Sequence, residues 1–155
     1  MKDGLFMSVA SYDNLNLAWK SILSKESAGG IDNITLDSFG RNLHNNLESL
    51  HRDLIEGEWV PRPYLNVSIP KKDDEERTIG LLSVGDKIVQ ASIKMEIEPI
   101  LERTFSRSSY AYRPGRGHLK CVRRALYETK THKDGFHIRC DIDNFFASID
   151  ITISQ

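Results

Sequence analysis

Apolar residues recur at intervals of three and four positions in four segments of the chain, which is the spacing of one face of an α-helix. The pattern predicts helices over Asn14–Ser24, over Leu36–Ile55, from Ser83 onward and over His118–Lys130. The apolar face of the second helix consists of Phe39, Leu43, Leu47, Leu50 and Leu54.

The helix that starts at Ser83 carries its own start signal. Asp86 follows three residues after Ser83, which resembles a capping box with aspartate in place of glutamate. Pro99 is expected to kink this helix or to mark its last turn. The predicted buried stripe consists of Val89, Ile93, Ile97, Ile100 and Leu101.

Alternation of apolar and polar residues predicts a hairpin in the middle of the chain. Leu65, Val67 and Ile69 alternate with polar residues between flanking prolines, which is a strand pattern. A charged turn at Lys71–Glu76 then leads to a short strand at Arg77–Leu81.

A third strand is predicted near the end of the sequence, where two sets of residues alternate. Successive side chains of a strand point to opposite faces, so the two sets lie on different faces. The apolar set is Phe136, Ile138, Cys140 and Ile142, and the polar set includes Arg139, Asp141 and Asp143.

These elements indicate one compact α+β unit of 155 residues. No apolar run reaches about 18 residues, so no membrane span is expected. The first ten residues lack the apolar region of a signal peptide. Cys121 and Cys140 have no CxxC spacing and give no zinc signature. The expectation is a cytoplasmic protein with reduced thiols.

The formal net charge of −1 conceals two regions of opposite sign. Residues 1–60 hold five Lys/Arg and nine Asp/Glu, whereas residues 103–139 hold ten Lys/Arg and two Asp/Glu. Such a basic block suggests a polyanionic partner. A solvated helix face would show the same composition, so charge alone leaves both interpretations open.

The acidic pair at the end of the third strand is a candidate metal site. Carboxylate oxygens suit Mg²⁺, which takes one or two protein carboxylates together with substrate phosphates. Asp141 and Asp143 are spaced for this, but acids at a strand end also simply face water. The pair alone does not decide between the two.

Five motifs occur in a fixed order along the chain. They are Ser27–Asp32, Tyr64–Lys72 with Arg77–Gly80, Asp86–Gln90, Ser109–Arg116 and Asp141–Asp150. With these motifs, residues 27–150 resemble the N-terminal half of the reverse transcriptase domain of group II introns and their bacterial relatives. The family usually has glycine, glycine and an acid where this chain has Asn33, Ala111 and Ala147.

The resemblance implies the fingers, over about residues 10–134, and the first palm strand, over about 135–150, of a right-hand polymerase. Asp141 would be the first of three catalytic aspartates and would bind Mg²⁺, and the Ile142 carbonyl would bind the nucleotide-bound metal. Lys71 and Arg77 would hold the incoming triphosphate, and Phe146 would lie under its sugar. On charge alone, Lys71 and Arg77 could instead balance the acids of the hairpin turn.

The resemblance also implies that Tyr112, Arg113 and Arg116 contact an RNA template, by stacking and by charge. A DNA primer and deoxynucleoside triphosphates would be the other partners. Without the family pattern, Arg113-Pro114-Gly115 is equally an ordinary turn.

The remaining metal-binding aspartates of the family lie in a Y-x-D-D hairpin, and this sequence has no such tetrapeptide. We therefore expect the chain alone to be inactive as a polymerase, whether it is an expression fragment or a natural truncation. We also expect an unpaired strand edge to promote dimerisation. A non-catalytic RNA-binding module and a small interaction scaffold remain alternatives, and the motifs do not separate intron maturases from diversity-generating, CRISPR-associated or defence enzymes.

Overall fold

The chain forms two compact units, Met1–Phe105 and Ser106–Gln155. In the computed structural model the described residues form helices, one hairpin and the loops that connect them. The side chains of residues 69 and 76–78 are not described. The structure describes residues 4–24, 30–32, 34–70, 76–132, 136, 138–142, 145, 148 and 149.

Among the described residues, five helices make up the core of the first unit. Their buried side chains form one cluster that includes Leu15, Trp19, Leu47 and Ile88. Removal of this apolar surface from water is the main source of stability. The helices are α1 (Gly4–Ala10), α2 (Tyr12–Leu23), α3 (Leu36–Arg41), α4 (Leu43–Glu56) and α5 (Val84–Glu102).

The single helix predicted over Leu36–Ile55 is two helices, because the backbone leaves the helical region at Asn42 (φ −125°, ψ 39°). Asparagine is a weak helix former that tolerates such breaks. Thr35 caps α3 by accepting a hydrogen bond from the Ser38 amide at 3.1 Å. The predicted apolar face survives the break, since Phe39, Leu47, Leu50 and Leu54 are all buried.

The start of α5 was predicted correctly and its buried face only in part. Ser83 is the N-cap and accepts a hydrogen bond from the Asp86 amide at 3.1 Å. The helix packs against α1 and α2 through its N-terminal half. Val89 is buried as predicted, whereas Ile93, Ile100 and Leu101 are exposed. The buried positions are Val84, Asp86, Ile88, Val89 and Ser92.

The predicted hairpin is present as an antiparallel pair, β1 (Leu65–Pro70) and β2 (Glu76–Leu81). Its register places Leu65 opposite Leu81 and Val67 opposite Ile79. Pro70 is the last residue of β1, and each strand of this two-stranded sheet is an edge strand, where proline is tolerated. The connecting turn lies outside the described residues.

The second unit contains α6 (His118–Thr131), as predicted, but the predicted strand over Phe136–Asp143 is not formed at its described positions. A strand requires a neighbouring strand to pair its backbone groups, and alternation alone does not supply one. Phe136, Ile138 and Ile142 are accordingly exposed. The α+β class is confirmed, and no described helix has the length and apolar character needed to cross a membrane.

Candidate nucleic-acid interface and catalytic carboxylate

Two arginines hold together the loop of residues 106–117 in the second unit. Arg113 Nη1 donates hydrogen bonds to the carbonyl oxygens of Ser106 at 2.7 Å and Ser109 at 3.0 Å. Arg116 Nη1 donates to the carbonyl oxygens of Arg107 at 2.6 Å and Ser109 at 3.2 Å. Charged donors make strong hydrogen bonds, so these contacts fix the path of the loop.

Further contacts close the C-terminal side of this loop. The Arg116 guanidinium lies 5.5 Å from the centre of the Tyr110 ring, a cation–π geometry. Lys120 Nζ donates to the Gly115 carbonyl from the first turn of α6. Gly115 has a φ of 65°, a left-handed conformation that glycine adopts without steric cost.

Tyr112 differs from the other residues of the loop in its backbone conformation and its exposure. Its φ is 56°, the sole positive φ among the described non-glycine residues. Its side chain is fully exposed, whereas those of Tyr110, Arg113 and Arg116 are half-buried. The loop therefore presents the Tyr112 ring to solvent, whereas the side chains of Arg113 and Arg116 donate to its own backbone.

The basic residues of α6 are exposed along the helix. Arg124 pairs with Glu128 and also lies 5.6 Å from the centre of the Tyr127 ring. Arg123 and Lys130 form no ion pair with another described residue. Part of the basic block is thus balanced within the helix, and part is available to an anionic partner.

Asp141 lies outside any helix or strand and has an exposed side chain, and its Oδ1 accepts a hydrogen bond from the Ile142 amide at 3.1 Å. An exposed carboxylate followed by a backbone carbonyl supplies oxygen ligands of the kind that Mg²⁺ prefers. No group of three potential metal ligands occurs among the described residues. The described residues therefore offer oxygen ligands at Asp141 and Ile142, and their binding of Mg²⁺ remains a prediction.

A second polar cluster, which the sequence patterns did not predict, lies in the first unit. Arg62 Nη1 forms an ion pair with Asp32 Oδ2 at 3.1 Å, and the Arg62 amide donates to Asp86 Oδ2 at 3.2 Å. The same Asp86 oxygen accepts from the Ser83 hydroxyl at 2.6 Å. These contacts tie the glycine-rich segment, the approach to β1 and the start of α5 together. The Pro61-Arg62-Pro63 run predicts an extended backbone before β1, but it does not indicate which carboxylates Arg62 contacts.

A cavity of about 360 Å³ opens beside this cluster. Asp53, Glu58 and Trp59 line it together with the residues of the cluster. Burial lowers the pKa of Lys87 on α5, and the nearby Asp32 carboxylate opposes that shift. The acidic lining makes this cavity unsuited to a phosphate.

No family model matches the chain. Protein YkfC of Escherichia coli (strain K12) is 28% identical over 123 residues, which are 77% of this chain and 32% of YkfC. The putative COX1/OXI3 intron 2 protein of Saccharomyces cerevisiae is 31% identical over 139 residues, 87% of this chain and 16% of that protein. The group II intron-encoded protein LtrA of Lactococcus lactis subsp. cremoris is 26% identical over 140 residues, 86% of this chain and 22% of LtrA.

The chain is related to group II intron-encoded proteins. The resemblance predicted from the five motifs is thereby confirmed. The chain spans less than a third of the length of each of these relatives.

In this relative of group II intron-encoded proteins, the structure describes some of the predicted site residues in full, one by its backbone alone and others not at all. Tyr112, Arg113 and Arg116 share one loop, and Asp141 and Ile142 are adjacent in an exposed segment. Only the backbone of Arg77 is described, on β2. Lys71 and Phe146 lie outside the described residues. The roles of all these residues remain predictions.

Proposed function

We propose that the chain is the fingers and first palm segment of an RNA-directed DNA polymerase that acts in a longer protein. The observation that carries the proposal is the match to group II intron-encoded proteins over 86–87% of this chain. The hairpin, the arginine-rich loop and the exposed Asp141 carboxylate all support it, because each coincides with a motif of the reverse transcriptase pattern.

The proposed reaction is nucleotidyl transfer. The 3′-hydroxyl oxygen of a DNA primer forms a bond to the α-phosphorus of a deoxynucleoside triphosphate, pyrophosphate leaves, and the hydroxyl proton passes to solvent. Mg²⁺, when bound, would supply charge stabilisation to the attacking and leaving oxygens. Asp141 and the Ile142 carbonyl would hold it, together with carboxylates that this sequence does not contain.

The remaining predicted residues would orient the substrates. Lys71 and Arg77 would contact the triphosphate, since ammonium and guanidinium groups match phosphate oxygens. Phe146 would lie under the sugar, where a flat ring leaves no room for a 2′-hydroxyl. Tyr112, Arg113 and Arg116 would serve the RNA template.

Primer extension on an RNA template tests the proposal. The assay would compare the longer protein that contains this segment with its Asp141→Asn variant and with the 155-residue chain. We expect Mg²⁺-dependent extension by the longer protein, none by the 155-residue chain, and a loss of at least about 100-fold in Asp141→Asn, as for loss of a charge-stabilising group in other enzymes. Asp143→Asn is the matched control, because it removes a neighbouring carboxylate to which the motif gives no role.

A non-catalytic RNA-binding module is the second candidate, and the exposed cations Arg123 and Lys130 favour it. It predicts that the longer protein binds template–primer but does not extend it, with or without Mg²⁺. Extension that is equal in wild type and Asp141→Asn would contradict the role proposed for Asp141.

A further inference from the structure

In the loop of residues 106–117, Arg113 and Arg116 donate hydrogen bonds to backbone carbonyls of the loop itself. Each Nη1 nitrogen of Arg113 and Arg116 meets two carbonyl oxygens, and the Ser109 carbonyl accepts from both. A guanidinium in this arrangement has fewer donors left for a phosphate, and a contact with nucleic acid would compete with the bonds that shape the loop.

Tyr112, in contrast to these two arginines, is fully exposed and has a left-handed backbone with a φ of 56°. A left-handed backbone is disfavoured for a residue with a bulky side chain, and such outliers concentrate at functional sites. Packing does not compensate for the conformation, because the Tyr112 side chain is fully exposed. The carbonyl contacts of the two arginines fix the flanking backbone and so hold the ring outward.

We propose that this loop is a preformed platform on which Tyr112 stacks against an unpaired base of single-stranded RNA, while Arg113 and Arg116 are positioning residues that hold the ring in place. The inference rests on the proposed function for the nature of the partner. It departs from the sequence-based expectation by assigning the two arginines to the loop and not to template phosphates.

Single-stranded RNA fits this platform for two reasons. An exposed ring can stack only on a base that is itself unstacked, as in single strands and loops. Exposed cations that form no ion pair with another described residue, Arg107 and Arg123, lie in the same unit and can meet the phosphates.

The test for Tyr112 is binding of a labelled single-stranded RNA oligonucleotide to the 155-residue chain at low salt, measured by fluorescence anisotropy. Tyr112→Phe keeps the stacking ring and should bind as wild type. Tyr112→Gly suits the left-handed backbone, so it should fold at least as well, yet its Kd should rise about 5- to 150-fold, the usual effect of losing one stacked base. Tyr64→Ala removes an exposed tyrosine from the first unit and is the control, with an unchanged Kd expected.

The test for the arginines uses charge and salt together. A side chain that neutralises a phosphate contributes about 0.7 to the slope of log K against log salt for single strands. Arg113→Gln and Arg116→Gln should weaken binding with no change in that slope. Arg113→Lys keeps the charge but not the planar donor group, so it should weaken binding too, and helical circular dichroism would verify that α6 remains folded.

Three results would overturn the inference: wild-type affinity in Tyr112→Gly, a reduced slope in Arg113→Gln, or full binding by Arg113→Lys. Its failure differs from failure of the proposed function. If RNA binding depends on Tyr112 but the longer protein does not extend a primer, only the polymerase proposal is refuted. If extension depends on Asp141 but RNA binding is unaffected by substitution of Tyr112, only the role proposed for the loop is refuted.

Discussion

At the scale of single residues, Ser92 joins three helices of the first unit. Its hydroxyl donates to the Val9 carbonyl at 2.6 Å and accepts from Asn14 Nδ2 at 2.7 Å, and Ser92 is 0% exposed. The bonds connect α5 to α1 and α2. Buried polar groups that lose a partner are costly, so this small network specifies how the three helices align.

Replacement of Ser92 by alanine should therefore lower the free energy of unfolding by about 1–3 kcal/mol, because the Val9 carbonyl loses its hydroxyl donor and Asn14 Nδ2 keeps only its 3.3 Å bond to the Ser92 carbonyl. Urea unfolding followed by tryptophan fluorescence measures this, since Trp19 and Trp59 both lie in the first unit. Ser8→Ala on the exposed side of α1 is the control and should change stability by less than about 0.5 kcal/mol. Equal stability of the two variants would refute the role of the network.

Gly30 is needed for close approach of its segment to α5. A Cβ atom at this position would meet Asp32 Oδ1 and would lie 2.9 Å from the Val84 amide nitrogen. We expect Gly30→Ala to cost about 1–3 kcal/mol by overpacking. Gly85→Ala is the matched control: its nearest neighbour would be Ser83 Oγ at 3.9 Å, so alanine should stabilise α5 by up to about 1 kcal/mol. The same urea titration compares them, and a neutral Gly30→Ala would show that the segment can move away.

At the scale of elements, the sequence predicted those whose signals are local. Ser83 and Asp86 predicted the start of α5, and the alternation of apolar and polar residues at Leu65–Ile69 predicted β1. The buried face of α5 was predicted only in part, because α2 and the unpredicted α1 cover its N-terminal half and leave Ile93, Ile100 and Leu101 exposed. The Arg62 contacts with Asp32 and Asp86 join residues far apart in sequence, so no local pattern could reveal them.

The hairpin register can be tested by cross-linking. Val67 lies directly opposite Ile79, where side chains on the same face come within reach of a disulfide. In a background with Cys121 and Cys140 changed to serine, Val67→Cys with Ile79→Cys should oxidise readily, as measured by thiol titration.

The control for this cross-link shifts one partner by a single residue. Asn66 lies opposite Gly80, so Asn66→Cys with Ile79→Cys places the two thiols on opposite faces. Oxidation of both pairs at similar rates would mean that the two strands slip relative to each other.

At the scale of the whole molecule, the second unit differs from the first in how little apolar surface it buries. No residue of α6 is buried, and Leu119, Val122 and Leu126 are each more than half exposed at helical spacing. The sequence predicted this helix but not its exposure, because an apolar stripe indicates a buried face without saying what covers it. The prediction of a strand over Phe136–Asp143 was wrong at the described positions for a related reason, since this segment has no described strand to pair with.

Exposed apolar stripes promote association, so we expect the 155-residue chain to dimerise in a concentration-dependent manner. The structure locates the apolar surface on α6, whereas the sequence suggested an unpaired strand edge. Leu126→Lys should shift the equilibrium toward monomer in sedimentation velocity, because a charge in the middle of the stripe must be desolvated in the dimer. Val60→Lys changes an exposed apolar residue of the first unit and should have no effect. A monodisperse wild-type monomer would contradict the prediction, and a dimer that persists in Leu126→Lys would place the contact elsewhere than on α6.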